Sequence, residues 1–246
     1  MKLIAAMIAA SLAFLLFASV SDLPEMGDPL STANNYVAKY YIEHAIEDGH
    51  VPNVVTSVLA DYRGFDTMFE TGVVLIAGIA IMAILLSIKN QSFSKIVPQK
   101  SSTIVTTAVR FMVPLMQLFA LYVVAHGHHS PGGGFQGGVI LGASVILLAL
   151  GFGLKKSFSF MSKQAIIFWG VLGVFVFAGI GLLCMFYNTD FLDYGALANI
   201  LPYTDHIMAR SHGMLGVEIG VAMTVMSMMF GIYAYLSTNS QLDEGL

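Results

Sequence analysis

Long apolar runs recur along this chain and are separated by shorter polar segments. A helix needs ~20 predominantly apolar residues to cross the hydrocarbon core of a bilayer. The runs of about this length lie at 3–20, 67–88, 103–125, 137–154, 165–187 and 213–236. The pattern therefore predicts an all-α, polytopic integral membrane protein with about six transmembrane helices.

The polar stretch between the first two runs predicts short helices outside the membrane. Residues 36–45 carry three tyrosines at helical spacing, which is typical of an interfacial helix. Pro52 is expected to open a second short helix, 53–61, leading into the second span. The run at 3–20 follows Lys2 as in a secretory signal, but its length favours a retained first span.

The distribution of lysine predicts the orientation. Segments 89–102 and 155–164 each carry three lysines, so the positive-inside rule places both on the cytoplasmic side. Segment 126–136 has no Lys or Arg, and 188–212 carries three Asp against one Arg, so both are expected outside. Six spans threaded in this way put both termini in the cytoplasm.

Composition supports a bilayer location and excludes other classes. The chain is 57% hydrophobic and only 11% charged, which would leave a soluble globule coated with apolar surface. Its net charge is -4 and its 11 Lys and Arg are scattered, so a nucleic-acid partner is not expected. The single cysteine, Cys184, has no second cysteine for an internal disulfide or a thiolate metal cage.

Charged residues gather at the start of the second span. Asp61 is followed by Arg63, Asp66 and Glu70, and the last three are spaced to share one helix face. One reading is a salt-bridge cluster at the outer interface that fixes the depth of the helix. The other is an ion path, because Glu70 borders the apolar stretch 71–88, where desolvation favours uptake of a proton.

Two further charges lie inside apolar spans. Glu218 has no sequence-local partner, so it is expected to be neutral, paired across a helix interface, or facing water. It either makes a helix-to-helix hydrogen bond or holds a proton or cation. Gly213, Gly216 and Gly220 would let another helix approach it closely. Arg110, two turns into the third span, either snorkels to the head groups or pairs with a neighbouring subunit.

Histidines and glycines dominate the segment between the third and fourth spans. His126, His128 and His129 lack a cysteine or carboxylate at ligand spacing, and the histidines lack the mid-span spacing of paired haems, so no metal or cofactor is expected. The chain is predicted to turn at Pro131, with the imidazoles lining a polar pocket. The structural or interface motif that follows is Pro131, Gly132, Gly133, Gly134, Phe135 and Gln136.

A second polar cluster crowds the start of the last span. It is interpreted as an ordinary wet loop, and the alternative is a polar vestibule on the outer side. The residues concerned are Tyr203, Asp205, His206, Arg210 and His212.

Two motifs carry a family resemblance. The run from Arg110 through His-Gly-His-His-Ser-Pro-Gly-Gly-Gly-Phe-Gln-Gly-Gly resembles the signature of the MnhB/MrpB family of Mrp-type multisubunit sodium/proton antiporters. The resemblance continues to Glu218, covers roughly residues 100 to 240 and implies four transmembrane helices. Residues 53–71 resemble the C-terminal membrane region of the large MrpA-type subunit, which typically lies on a different chain. Two modules are therefore predicted, at 1–95 and 96–246.

The resemblance implies a role. Proton transfer in such complexes runs largely through large antiporter-like subunits, so this chain is expected to be a small, non-catalytic transporter subunit in a prokaryotic plasma membrane. Its expected partners are those large subunits, other small membrane subunits and the lipid bilayer, and Na+ and H+ are the transported ions. The candidate path residues are Asp61, Arg63, Asp66, Glu70, Arg110, His126, His128 and Glu218.

Within that path, Glu70 and Glu218 are hypothesised to be the buried sites at which a proton and a sodium ion compete. Two alternatives stay open. Related modules occur in membrane-bound hydrogenases and sulfane reductases, so the chain fits a subunit of a redox-driven ion pump as well. A purely structural subunit that seals an interface is the other alternative.

Overall fold

The fold is seen in a computed structural model, which describes residues 2–20, 22–31, 33–87, 102–187 and 189–237. The chain divides into two compact units, residues 1–44 and residues 45–246. Six helices in the described residues are long and apolar enough to cross a membrane, and no strand occurs there. The prediction of an all-α, polytopic membrane protein is confirmed.

The first unit contains helix α1, Lys2–Val20, none of whose residues is buried. A π-helical turn, Ala33–Val37, then leads into α2, Ala38–Gly49, whose last residues belong to the second unit. The imidazole of His44 stacks on the ring of Tyr40 at a centroid distance of 4.3 Å. The helix expected over the tyrosine-rich stretch 36–45 is therefore present.

The second unit begins with a short helix, α3, Val54–Thr56. Asn53 caps it, because its side chain accepts a hydrogen bond from the backbone N–H of Val55, and a π-helical turn, Ser57–Tyr62, continues it. The remaining helices are α4, Gly64–Ser87; α5, Thr103–Ala125; α6, Gly134–Phe152; α7, Leu154–Phe160; α8, Lys163–Phe186; a 3-10 helix, Tyr194–Asn199; and α9, His206–Ser237.

Two parts of this layout differ from the sequence pattern. The last span begins at His206 rather than at residue 213, so its polar first turns are helical. Segment 155–164 was expected to be a loop but contains α7, because Leu154 and Phe158, one helical turn apart, pack on the core while the lysines between them face outward. The predicted boundary between residues 95 and 96 lies in 88–101, outside the described residues.

Helix α9 forms the centre of the second unit. It packs against α4, α6, α8 and the 3-10 helix. Its most extensive contact is with α8, where Gly173 and Gly220 face each other: a Cβ on Gly173 would lie 2.3 Å from the carbonyl oxygen of Gly220. The Thr224 hydroxyl also donates to the carbonyl of Gly170, at 2.9 Å. Glycine at these positions lets two helix backbones touch, and Gly220 is one of the three glycines predicted to admit a neighbouring helix.

We expect Gly173→Ala to destabilise the protein, by about 1–3 kcal/mol, because the new methyl group would force α8 away from α9. The matched control is Gly179→Ala on the same helix, where an added Cβ meets no atom within 4 Å. Thermal unfolding of the detergent-solubilised protein measures both. Equal unfolding temperatures for the two variants would contradict this account of the helix crossing.

Candidate functional site

Glu218 is the buried carboxylate at the middle of the candidate site. It lies on α9 and is 8% exposed. The start of α6 rests directly on its backbone, since a Cβ on Gly134 would lie 2.0 Å from the carbonyl oxygen of Glu218. Gly133, just before α6, has a φ of 127°, a conformation that residues with a side chain rarely adopt. The glycines of the predicted motif therefore hold the chain against this carboxyl group.

The loop between α5 and α6 covers the carboxyl oxygens. A Cβ on Gly127 would lie 2.8 Å from Glu218 Oε2, and one on Gly133 would lie 3.1 Å from Oε1. Gly132 packs on the backbone of Val123 at the end of α5. Pro131, Phe135 and Gln136 are exposed, but Gln136 Oε1 lies 3.5 Å from the Cβ position built on Gly133, beside Glu218 Oε1. The predicted turn in this segment is present, between Ala125 and Gly134.

Helix α3 closes the remaining side. The Asn53 side-chain amide donates to the carbonyl oxygens of Gly127 and Ser130, at 2.6 and 2.8 Å. The buried hydroxyl of Thr56 donates to the same Gly127 oxygen, at 2.7 Å, and lies 3.4 Å from Glu218 Oε1. Three segments far apart in sequence, at 53–56, 127–133 and 218, thus form one buried polar junction.

Glu218 has few partners in this junction. No basic side chain in the described ranges forms an ion pair with it, and its Oε2 atom is buried with no hydrogen-bond partner. An ionised carboxylate buried without a cation or donors is strongly unfavourable. The site therefore suits a carboxyl group that is either protonated or neutralised by a bound cation.

The histidine cluster lies beside this junction. His126 packs between Tyr122 and His129, with ring centroids 5.0 and 5.5 Å away, and His128 lies 4.3 Å from His129. The Nδ1 atom of His128 is buried without a hydrogen-bond partner. Burial, together with the imidazoles of His129, His126 and His212, lowers the pKa of His128. His128 is therefore neutral near pH 7.

We expect His128 to make folding sensitive to acid. Because its folded-state pKa lies below the ordinary 6.5, the unfolded chain binds the proton first as the pH falls. Its contribution to stability is fully present above pH 6.5 and is lost as the pH falls below that value. Thermal unfolding on both sides of this pH should show a smaller acid-induced loss for His128→Gln than for wild type. The control is His206→Gln, which changes an exposed histidine of α9. An acid-induced loss of stability as large in His128→Gln as in wild type would contradict the prediction.

A second buried polar contact joins Asp61 to Arg210. The Nη2 atom of Arg210 lies 2.8 Å from both oxygens of Asp61, and Nε donates to Oδ2 at 3.0 Å. The side chains are 10% and 23% exposed, respectively. Burial raises the pKa of Asp61, and the guanidinium opposes this rise. Asp193 lies 3.5 Å from the other terminal nitrogen of Arg210. The pair therefore fastens the turn before α4 to the first turns of α9.

An open pocket of about 440 Å³ adjoins this ion pair. Its polar lining includes four aspartates and two arginines: Asp61, Asp66, Asp190, Asp193, Arg63 and Arg210. The interpretation of Arg210 as part of a wet loop is wrong, because it lies on a helix and its guanidinium is largely buried. Tyr203 and Asp205, which precede α9, are exposed.

The other charged candidates lie on the surface of the described chain. Arg63 pairs with Asp66, and both side chains are more than half exposed. Glu70 does not join that pair and is itself exposed. The prediction that Glu70 is buried is wrong within this chain. The buried face of α4 contains Gly64, Thr71, Gly78 and Met82, and Glu70 lies on another face. Arg110 is also exposed, with its guanidinium carbon 5.9 Å from the centre of the Phe152 ring.

Sequence reasoning did not assign Asn53 or Thr56 to the site, and it placed Arg210 in a polar cluster without identifying Asp61 as its partner. Asn53 carries a recognisable local signal, since an asparagine before a short apolar stretch is a typical helix N-cap. Its contacts with Gly127 and Ser130 span more than 70 residues of sequence. No local pattern indicates partners at that distance.

These features define a class: a multi-pass helical membrane protein whose central span carries a buried acidic residue at the junction of two sequence regions. Residues 104–231 match the family model of a domain related to the MnhB subunit of the Na+/H+ antiporter. This match covers more than half of the chain, and the chain belongs to that family. Residues 3–102 match a second model, MbhE, which describes the E subunit of MBH.

Two curated relatives show how far the similarity extends. The K(+)/H(+) antiporter A/B subunit of Rhizobium meliloti is 27% identical over 188 residues, which cover 68% of this chain and 19% of that protein. The chain thus corresponds to about a fifth of that relative's length. Antiporter subunit mnhB2 of Staphylococcus aureus strain Newman is 28% identical over 138 residues, covering 54% of this chain and 97% of the relative.

Two solved structures share the fold. One is a chain of the Mrp complex from Dietzia sp. DQ12-45-1b, with a TM-score of 0.68 and 25% identity, covering 99% of this chain and 26% of that chain. The other belongs to the archaeal membrane-bound sulfane sulfur reductase, with a TM-score of 0.67 and 24% identity, covering 96% of this chain and 97% of that chain. The second likeness concerns the fold alone.

Proposed function

We propose that this chain is a membrane subunit of a multisubunit monovalent cation/proton antiporter in a prokaryotic plasma membrane. In this role Glu218 binds a proton or a monovalent cation in turn. The observation that carries the proposal is the burial of this carboxyl group inside a membrane span, with no cationic partner among the described residues. Membership of the MnhB-related family and the antiporter names of the two curated relatives support it.

The chemistry of exchange follows from the environment of Glu218. A carboxyl group in a low-dielectric site is stable when neutral, and either a proton or a cation such as Na+ or K+ neutralises it. Since only one of them can do so at a time, uptake of one favours release of the other. The chain contributes this exchange site and does not act as an enzyme. No cofactor takes part in the proposal.

The exposed charges inside the spans support the proposed partners. Glu70 and Arg110 lie on exposed faces of helices that cross the membrane, where contact with lipid would be unfavourable. Each therefore fits a polar surface on a neighbouring subunit or a water-filled path between subunits. Large antiporter-like subunits and small membrane subunits would supply these surfaces. The lipid bilayer would cover the remaining apolar faces.

A second candidate rests on the match of residues 3–102 to the MbhE model. In this alternative the chain is a membrane subunit of a redox-driven ion pump, and the electron-transfer chemistry resides in partner proteins. The Glu218 junction would serve the same exchange of ions. The identity of the partners therefore separates the two candidates.

The test is to purify the tagged chain in mild detergent, identify the proteins that remain bound, and measure cation-dependent proton flux in vesicles made from the same material. Large antiporter-like partners with flux that depends on Na+ or K+ are the expected result. Iron-sulfur or nickel-iron partners would support the redox-driven candidate. Absence of cation-dependent flux from a complex that contains antiporter-like subunits would overturn the proposed function.

A further inference from the structure

The hydrogen atoms around Glu218 can be counted from the donors and acceptors present. A carbonyl oxygen only accepts, so the 2.7 Å contact between Thr56 and Gly127 requires the Thr56 hydroxyl to donate its single hydrogen to the Gly127 oxygen. The Asn53 amide has two hydrogens, and its shortest contacts are with the carbonyl oxygens of Gly127 and Ser130. Both lone pairs of the Gly127 oxygen are then occupied.

This count leaves no donor for the contact between Thr56 and Glu218. The Thr56 oxygen is 3.4 Å from Glu218 Oε1, but its hydrogen is already directed to Gly127. Asn53 lies 3.1 Å from Thr56, yet its two hydrogens serve the shorter contacts. An ionised Glu218 would therefore face the lone pairs of Thr56 with no hydrogen between the two oxygens. A protonated Glu218 supplies that hydrogen itself.

Within the part of the chain that the structure describes, no titratable side chain forms a hydrogen bond or an ion pair with Glu218. Tyr194 on the 3-10 helix, His128 in the loop and the Asp61–Arg210 pair lie on the neighbouring elements, and none of them bonds to it in the described structure. Helices α6 and α8 contribute glycines at this level of α9, and the charged residues of α4, Asp66 and Glu70, are exposed. His212, on α9 itself, is exposed. Among the described residues, Thr56 is thus the side chain that lies within hydrogen-bonding distance of this carboxyl group.

We propose that Thr56 is a positioning residue that holds Glu218 in its proton-loaded form, by accepting the carboxyl proton on its hydroxyl oxygen. Asn53 helps by fastening the Gly127 carbonyl that directs the Thr56 hydrogen away from Glu218. When the proton leaves, a cation takes its place and neutralises the carboxylate, while the Thr56 hydrogen stays on the Gly127 oxygen. The transport part of this proposal rests on the proposed function, whereas the hydrogen-bond assignment does not.

The transport test compares Thr56→Val with Thr56→Ser in vesicles that contain the whole complex. Valine keeps the shape of threonine but removes the acceptor, so the proton-loaded form loses stability. We expect the pH profile of antiport to move toward acid by roughly 0.5–1 pH unit, which corresponds to the loss of one hydrogen bond. The apparent KM for the cation should fall by about three- to tenfold, because the proton competes less well. Thr56→Ser should restore wild-type values.

An unchanged or alkaline-shifted profile in an assembled Thr56→Val complex would overturn the assignment. A second measurement remains available if that variant does not assemble. Infrared spectra of the wild-type complex near neutral pH should contain the carbonyl stretch of a protonated carboxylic acid, which should vanish in Glu218→Gln. Absence of such a band would overturn the inference independently of any transport. Conversely, if the band is present but flux never depends on a cation, the proposed function fails and the hydrogen-bond assignment stands.

Discussion

Glu218→Gln should abolish cation-coupled proton flux while the complex still assembles. Glutamine has nearly the same shape as glutamate, and its amide can occupy the pocket between Gly127 and Thr56. It can neither take up a proton nor neutralise a bound cation under these conditions. We therefore expect flux in vesicles to fall to the level of vesicles without the complex. The recovery of partner proteins after affinity purification should match wild type.

Two controls make this result specific to the site. Glu43→Gln removes a carboxylate whose side chain is 54% exposed and should leave flux unchanged. Glu70→Gln tests the other carboxylate hypothesised to exchange ions, which the chain exposes on α4. Wild-type flux in an assembled Glu218→Gln complex would refute the role of Glu218. Loss of flux in Glu70→Gln alone would move the exchange site to the surface that faces the partner subunits.

Arg210→Gln should lower the free energy of unfolding more than any other substitution of a charged side chain that water can reach. The change leaves Asp61 almost buried without its bidentate cation, and removal of one partner from a buried ion pair costs about 3–5 kcal/mol. Because Arg210 is 23% exposed and water can reach the pair, we expect about 2–3 kcal/mol. Thermal or denaturant unfolding of the detergent-solubilised protein measures the effect.

The matched control is Arg63→Gln. It breaks the ion pair with Asp66, in which both side chains are more than half exposed, and should change stability by less than about 1 kcal/mol. Adding Asp61→Asn to Arg210→Gln should recover part of the loss, because no unpaired charge then remains. Equal destabilisation by the two single arginine substitutions would contradict the distinction between the buried and the exposed pair.

The membrane-spanning helices could be predicted because each one carries its own signal. An apolar run of bilayer length specifies a span without reference to any other part of the chain, and each of the six predicted runs corresponds to a long apolar helix in the described residues. Local signals also identified the helix before the second span and the turn between α5 and α6. The exception is α7, whose adjacent lysines concealed the packing of Leu154 and Phe158.

The contacts of the site could not be predicted, because they join residues far apart in sequence. Asp61 and Glu218 were candidates from their own context, but their partners, Arg210 and Thr56, could be assigned only once the helices were packed. Glu70 shows the opposite case. Its sequence position indicated burial, yet which face of α4 is buried depends on where α9 and α8 lie, and Glu70 is on the other face.

The junction around Glu218 has a consequence for assembly stoichiometry. Asn53 and Thr56 lie in the region that matches one family model, and Glu218 lies in the region that matches the other. Where such regions occupy separate polypeptides, their encounter depends on the cellular amounts of two gene products. Here the peptide backbone keeps them in a one-to-one ratio and at a high effective concentration. The fusion therefore makes completion of this junction a folding event within a single chain, independent of the relative expression of two subunits.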